Sequence, residues 1–198
     1  MILLLFALAG IVLGLLFGGR FAHCAKYPLS GLILPVVALL IKTGASFLLT
    51  PQTGAVPVGI VQYALIFGFL LMNVRRSGWP LLIFSGSFLN FLVISLNGGC
   101  MPVSESLLIA GSERAQQLAA GEIYAYSAIT PQTVLPILGD VIRIGPKGVP
   151  FGFASIGDIL LGIGVALLCF QMMRFQGGDA DTGKKEREKS KRKHGPER

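Results

Sequence analysis

Apolar residues occur along this chain in long runs, without the alternation of apolar and polar positions that is typical of strands. Four runs carry little or no charge and a fifth has one acidic residue near its start; they cover residues 2–19, 29–49, 58–74, 81–96 and 153–173. Each run reaches or approaches the ~17–25 residues that a helix needs to cross the hydrocarbon of a membrane. Because continuous apolar runs favour helices over a membrane barrel, the pattern predicts an all-α polytopic bundle of about five transmembrane helices.

The long connection, residues 97–152, is predicted to carry two further elements outside the membrane. Ser104 is a candidate N-cap for an amphipathic helix that runs to about Ala120 on the outer surface. The stretch TVLPILGDVIRI, residues 133–144, is too short to span and too apolar for a free loop, so we interpret it as a re-entrant or interfacial segment. The membrane domain is then expected to comprise residues 1–173, followed by a disordered basic tail at 174–198.

Composition and charge support this interpretation and give it an orientation. Hydrophobic residues make up 53% of the chain and charged residues 14%, against about a quarter charged in soluble domains. The first connection contains Arg20 and Lys26, the third contains Arg75 and Arg76, and the tail is rich in lysine and arginine, whereas the second connection has no charge. Since basic loops stay in the cytoplasm, we expect a cytoplasmic-membrane protein with its N-terminus outside and its C-terminus inside.

Glycines in the first run predict a close helix contact. Gly10, Gly14 and Gly18 recur at every fourth position and therefore share one helix face. Small residues at this spacing let two helix backbones approach closely. The partner is either another helix of the same chain or a second copy in a homo-oligomer.

Polar residues inside or next to the runs predict a site at the outer face. By the helical rise, Lys42 lies roughly 12 Å below the outer end of the second run and Asp158 roughly 7 Å inside the fifth. Ions inside a membrane usually pair or face water, so we expect these two side chains to approach each other. The polar cluster at this depth, which binds a ligand or serves structure alone, comprises Lys42, Asn90, Asn97, Met101, Pro102, Asp140 and Asp158.

Catalytic and cofactor chemistry finds little support in the sequence. ILGD and SIGD each place an aspartate after a glycine, but the first glycine of the G-x-G-D pattern of intramembrane aspartyl proteases is replaced by Ile137 and Ser155. Neither histidine, His23 or His194, falls near the outer face, and P-loop, Rossmann and metal-ligand patterns are absent. We expect no metal or cofactor. The basic cluster at 184–193 is a topology signal or a contact for lipid head groups, and nucleic-acid binding is not expected.

One combination of motifs resembles a known family. NGGCMPVSES (97–106), then ILGD (137–140) and SIGDILLGIG (155–164), is similar to a bacterial family of small multi-pass membrane proteins of unknown function. The resemblance implies a bacterial cell membrane and no particular activity. Three functions stay open: a non-enzymatic accessory or binding protein with lipid or membrane-protein partners, a small-solute or ion transporter that acts as an oligomer, and an aspartyl intramembrane hydrolase.

Overall fold

The computed structural model describes residues 2–49, 55–108, 111–145 and 152–176, and the chain is mainly helical over these residues. Its elements in chain order are α1 (Ile2–Leu16), α2 (Phe21–Cys24), α3 (Ile33–Leu48), α4 (Ala55–Met72), α5 (Trp79–Leu96), β1 (Met101–Val103), α6 (Glu113–Ala119), β2 (Tyr126–Ala128), β3 (Ile142–Ile144), β4 (Gly152–Ala154) and α7 (Ile156–Arg174). The prediction of a helical protein is confirmed. The tail at 177–198 lies outside the described residues.

Five helices are long and apolar, but they differ in length. Helices α4, α5 and α7 have 18, 18 and 19 residues and are long and apolar enough to cross a membrane. Helices α1 and α3 are apolar too, with 15 and 16 residues. Over the described residues, the structure therefore contains three helices of full spanning length and two shorter apolar helices.

Helix α7 packs between α1 and α5, and glycines make both contacts close. A Cβ on Gly10 would collide with Ala166, and one on Gly14 would lie 2.6 Å from Cβ of Met173. Gly10 thus contacts Ala166, and Gly14, later in α1, contacts Met173, later in α7. Because the contacts advance in the same direction along both helices, α1 and α7 are parallel. Gly18 has a φ of +84°, and a Cβ at this position would meet no atom within 4 Å. It belongs to the turn after α1, so its expected place on the packing face was wrong.

The remaining contacts join helices of opposite direction. Gly86 of α5 lies against Gly157 of α7, and further toward the start of α5 Ile83 contacts Gly164. The rings of Tyr63 and Phe91 pack at 5.3 Å between α4 and α5, and α3 packs along α4. Successive long helices therefore alternate in direction.

This alternation gives the bundle two different ends. One end, here called the cavity end, is formed by the ends of α3 and α5 and the starts of α1, α4 and α7. The other, the charged end, holds Arg20, Lys26, Arg75, Arg76 and Arg174, whereas Arg114 and Arg143 belong to the segment that covers the cavity end. The pattern of basic residues noted in the sequence thus falls on one end of the fold.

The segment after α5 does not form the expected long amphipathic helix. Strand β1 comes first, a single 3-10 turn covers Glu105–Leu107, and α6 begins only at Glu113, capped by the Ser112 side chain, which accepts from Ala115 N. Ser104 has an extended backbone and no capping bond. The prediction of a helix from Ser104 to about Ala120 was wrong because Gly111, at φ +74°, turns the chain just before Ser112.

The stretch expected to be re-entrant or interfacial forms a 3-10 turn and a short strand, not a re-entrant helix. Within residues 133–144 the chain makes one 3-10 turn, Pro136–Leu138, and then strand β3, which pairs antiparallel with β4. Strand β1 pairs parallel with β2, and Asp140 adds a bridge to Val103. Pairing satisfies the backbone groups of this apolar stretch without a helical hairpin. An all-α description is therefore too narrow: four short strands among the described residues cover the cavity end.

Candidate functional site

A polar cavity of about 90 Å³ lies at the cavity end, between the helices and the short strands. Its walls come from α3, α4, α5 and α7, and it is covered by the start of β1, the loop before β2 and the Asp140 loop. The residues that line it are Lys42, Ala55, Val58, Gly59, Gln62, Tyr63, Asn90, Ile94, Gly99, Met101, Tyr124, Ala125, Tyr126, Asp140 and Asp158. A space of this size in a polar setting holds a few water molecules or a small ligand.

Asp158 is fixed in the cavity wall by the start of α7. It forms a capping box with Ser155: Asp158 N donates to Ser155 Oγ at 2.9 Å, and Ser155 N donates to Asp158 Oδ2 at 3.2 Å. Asn90 of α5 donates through Nδ2 to Asp158 Oδ1 at 2.7 Å and accepts from Ser155 Oγ at 2.8 Å. These bonds hold one carboxylate rigidly at the α5–α7 contact, with acceptor positions to spare.

Asp140 also lines the cavity, but its carboxyl group has no hydrogen-bond partner among the described residues. Its backbone is held to β1, because its N donates to Pro102 O at 2.8 Å and its O accepts from Ser104 N at 3.2 Å. The side chain is only 7% exposed, and Oδ1 has no hydrogen-bond partner among the described residues. Burial, with a smaller contribution from the charge of Asp158, raises the pKa of this carboxyl to about 7, and Lys42 acts in the opposite direction.

Lys42 reaches the same cavity from α3, but it does not bind Asp158 directly. Both Asp158 oxygens already accept hydrogen bonds, and no ion pair joins the two side chains in the part of the chain that the structure describes. The expected Lys42–Asp158 contact is therefore replaced by a shared cavity. The side chain of Lys42 is exposed at the helix surface as well as to the cavity.

The structure brings five of the seven predicted cluster residues to this cavity: Lys42, Asn90, Met101, Asp140 and Asp158. The other two have structural positions beside it. Asn97 accepts from Val134 N at 2.9 Å and donates to Val134 O at 2.9 Å, which ties the loop to the end of α5. Pro102 is fully buried in β1 and offers its carbonyl to Asp140.

Sequence reasoning missed four polar side chains that line the cavity: Gln62, Tyr63, Tyr124 and Tyr126. The hydroxyl of Tyr124 is buried and has no partner among the described groups. Burial raises the pKa of Tyr126 further above its ordinary value, and the nearby Asp140 adds to that shift. The adjacent polar pair Gln62–Tyr63 inside an apolar helix was the signal that could have identified the α4 wall.

The two aspartates share the cavity but are not bonded to each other. Among the described residues, no hydrogen bond joins Asp140 to Asp158, and Asp158 takes part in the capping box of α7. The described part of the chain also contains no group of three His, Cys, Asp or Glu residues placed to hold a metal ion. The arrangement is suited to holding a molecule that has both hydrogen-bond donors and an anionic group.

These features define a class: a helical protein with apolar helices of membrane-spanning length and a polar cavity at one end of the bundle. The chain belongs to a family of unknown function, DUF5317, which matches residues 26–170. An uncharacterized protein of Thermotoga maritima is 30% identical over 161 residues, which cover 80% of this chain and 84% of the relative. No solved structure matches the chain. The resemblance to a family of unknown function is confirmed; the motif pattern as its signature stays a prediction.

Proposed function

We propose that the protein is a non-enzymatic membrane protein that binds a small polar molecule in the cavity at the outer end of its bundle. The observation that carries this proposal is Asp140, whose side chain is only 7% exposed, lines the cavity together with Lys42 and Asp158, and accepts no hydrogen bond from the described residues. A buried polar atom without a partner costs free energy, so such an arrangement is maintained where a ligand or water completes it.

The proposal includes five transmembrane helices in a bacterial cytoplasmic membrane. Helices α1 and α3 would be about 22–24 Å long at the helical rise, and modest mismatch is accommodated by the bilayer or by flanking residues. The basic residues on the charged end favour a cytoplasmic position for that end, which leaves the N-terminus and the cavity outside. The relative in Thermotoga maritima is consistent with a bacterial protein.

Binding is better supported than transport. Beside the cavity, Gly86 packs directly against Gly157, and the rings of Tyr63, Phe67 and Phe91 pack between α4 and α5, which favours a pocket between tightly packed helices over an open path. Pro35, which would favour a broken helix if it lay centrally, is in the first turn of α3. Transport by an oligomer is the alternative. A homo-oligomer would need a surface other than Gly10 and Gly14, because α7 already covers that face.

The test is to isolate the intact protein from membranes and identify bound small molecules by native mass spectrometry. We expect wild type to retain a molecule that Asp140→Asn loses, while the control Glu122→Gln, an exposed acid outside the cavity, retains it. If wild type carries nothing, and no compound in a panel of polar metabolites and lipids raises its unfolding temperature, the binding proposal is wrong.

A further inference from the structure

We propose that the cavity recognises a primary ammonium group that is joined by a short spacer to an anionic group, the chemistry of a phosphoethanolamine. This inference rests on the proposed function and specifies its ligand class. It is drawn from the donors and acceptors that the cavity leaves open.

The open acceptors are carboxylate oxygens. The Asp140 carboxyl, which lines the cavity, accepts no hydrogen bond from the described residues, and each Asp158 oxygen accepts only one there, although a carboxylate has about four acceptor positions in all. A primary ammonium group has three N–H donors and a positive charge, so it can bond to both aspartates at once. A quaternary ammonium has the charge but no N–H donor and would leave the Asp140 carboxyl without a donor.

The open donor is the ammonium of Lys42. Lys42 lines the cavity with three donors, and its ammonium makes no hydrogen bond within the described chain. An anionic group on the ligand would accept from it. The cavity holds two carboxyl groups and one ammonium, Lys42, so a ligand with a free ammonium is favoured over a simple anion.

The position of the cavity permits two sources of this chemistry. Lys42 is six residues before the end of α3, about 9 Å by the helical rise, and its side chain is exposed at the helix surface. A lipid head group could therefore enter from the side, and a free phosphoethanolamine could enter from the outer solution. A volume of about 90 Å³ is that of about three water molecules, which suffices for the ammonium and its short spacer and excludes the acyl chains.

The experiment compares ligands on the purified full chain by native mass spectrometry and thermal unfolding. The probes are phosphatidylethanolamine, phosphatidylcholine and phosphatidylglycerol with identical acyl chains, and free phosphoethanolamine. We expect the ethanolamine lipid or free phosphoethanolamine to bind at least tenfold more tightly than the other two lipids, since hydrogen bonds to charged groups have this magnitude. Preference for the lipid, or for the free compound, identifies the source.

Variants connect the preference to the cavity. Asp140→Asn and Lys42→Gln should each weaken binding about tenfold or more, whereas the matched controls Glu122→Gln and Lys26→Gln should not. Equal binding of the choline and ethanolamine lipids, or unchanged binding in Asp140→Asn, overturns the inference. If another molecule binds wild type and is lost in Asp140→Asn, binding stands and the ammonium specificity is wrong.

The pH dependence of ligand affinity in the wild-type protein tests the inference without any variant. Asp140 is faced by Asp158 of α7, Lys42 of α3, Tyr63 of α4 and Tyr126 of β2. An ammonium ligand favours ionised Asp140, so its affinity should fall severalfold from pH 8 to pH 6. An affinity that is constant or rises over that interval contradicts the inference.

Discussion

At the scale of single residues, the two cavity aspartates show how the same side chain takes different roles. Asp158 follows Ser155 by three positions at a helix start, so local geometry supplies two of its partners and Asn90 supplies another. Asp140 follows a 3-10 turn, and among the described residues only its backbone is satisfied. The first residue therefore has a partner at each carboxyl oxygen, whereas the second has a buried oxygen without a partner among the described residues.

Replacing Asp140 by asparagine should stabilise the ligand-free protein, and more so at higher pH. The pKa of Asp140 is raised from 3.8 to about 7. Between these values the folded state holds the proton more tightly than the unfolded state, so the free energy of unfolding of wild type falls as pH rises. We expect Asp140→Asn to gain on the order of 1–3 kcal/mol over wild type at pH 8 and much less at pH 5.

Thermal unfolding of delipidated protein in detergent at pH 5, 6, 7 and 8 measures this difference. Glu122→Gln, which removes an exposed carboxylate on the same side of the bundle, should follow the wild-type curve. If the unfolding temperatures of wild type and Asp140→Asn change with pH in the same way, the pKa of Asp140 is not raised in the folded protein and the prediction is wrong.

A second prediction at this scale concerns the bond between Asn90 and Asp158. Asn90→Asp replaces the Nδ2 donor, 2.7 Å from Asp158 Oδ1, by a second carboxylate. We expect a loss of about 1–3 kcal/mol in the free energy of unfolding, because a buried acceptor loses its donor and like charges meet. The double variant Asn90→Asp with Asp158→Asn restores a donor and an acceptor. Denaturation of all four proteins gives the coupling energy, and no recovery in the double variant would contradict the role of this bond.

At the scale of elements, the sequence predicted the helices far better than what covers them. Apolar runs at 29–49, 58–74, 81–96 and 153–173 contain or overlap α3, α4, α5 and α7, because membrane length and hydropathy determine such helices locally. The strands could not be inferred in this way. β1 pairs with β2 across an intervening α6, and three-residue strands carry too few positions for an alternation to be recognised.

The same difference between local and long-range signals decides which cavity residues could be recognised from the sequence. Lys42, Asn90, Asp140 and Asp158 were recognisable because polar residues in apolar surroundings are conspicuous. The tyrosines were not, since Tyr63 and Tyr126 also suit an apolar core, and only the fold shows that they face the carboxylates. Asn97 was assigned to the cluster from its depth, and its actual partner, Val134, is 37 residues away in the chain.

The close contact between α5 and α7 predicts that alanine substitutions at two different glycines have very different effects on stability. A Cβ on Gly157 would meet Asn90 Cγ and Gly86 O at 2.7 Å, so Gly157→Ala must separate the helices where Asn90 binds Asp158. We expect a loss of about 1–3 kcal/mol and reduced ligand retention. Gly44→Ala in α3, with nothing within 4 Å, should be neutral or stabilise by up to about 1 kcal/mol. Unfolding temperatures of both variants test this, and equal effects would contradict the close packing.

At the scale of the whole molecule, helix directions and charge agree with each other. The close contacts make α1 parallel to α7 and place the ends of α3 and α5 at the end where α7 begins. The described loops with flanking arginine and lysine then fall on the opposite end. Packing thus places these basic residues at one end of the bundle, and their charge is what favours the proposed orientation.

Accessibility of introduced cysteines tests that orientation. In a background with Cys24, Cys100 and Cys169 replaced by serine, Glu122→Cys would sit beyond the cavity end and Lys26→Cys at the charged end, and both positions are exposed. We expect a membrane-impermeant maleimide to label Glu122→Cys in intact spheroplasts and Lys26→Cys only after permeabilisation. Labelling in the reverse order would place the cavity in the cytoplasm, and labelling of both in intact cells would contradict an odd number of spans between these positions, since α3, α4 and α5 separate them.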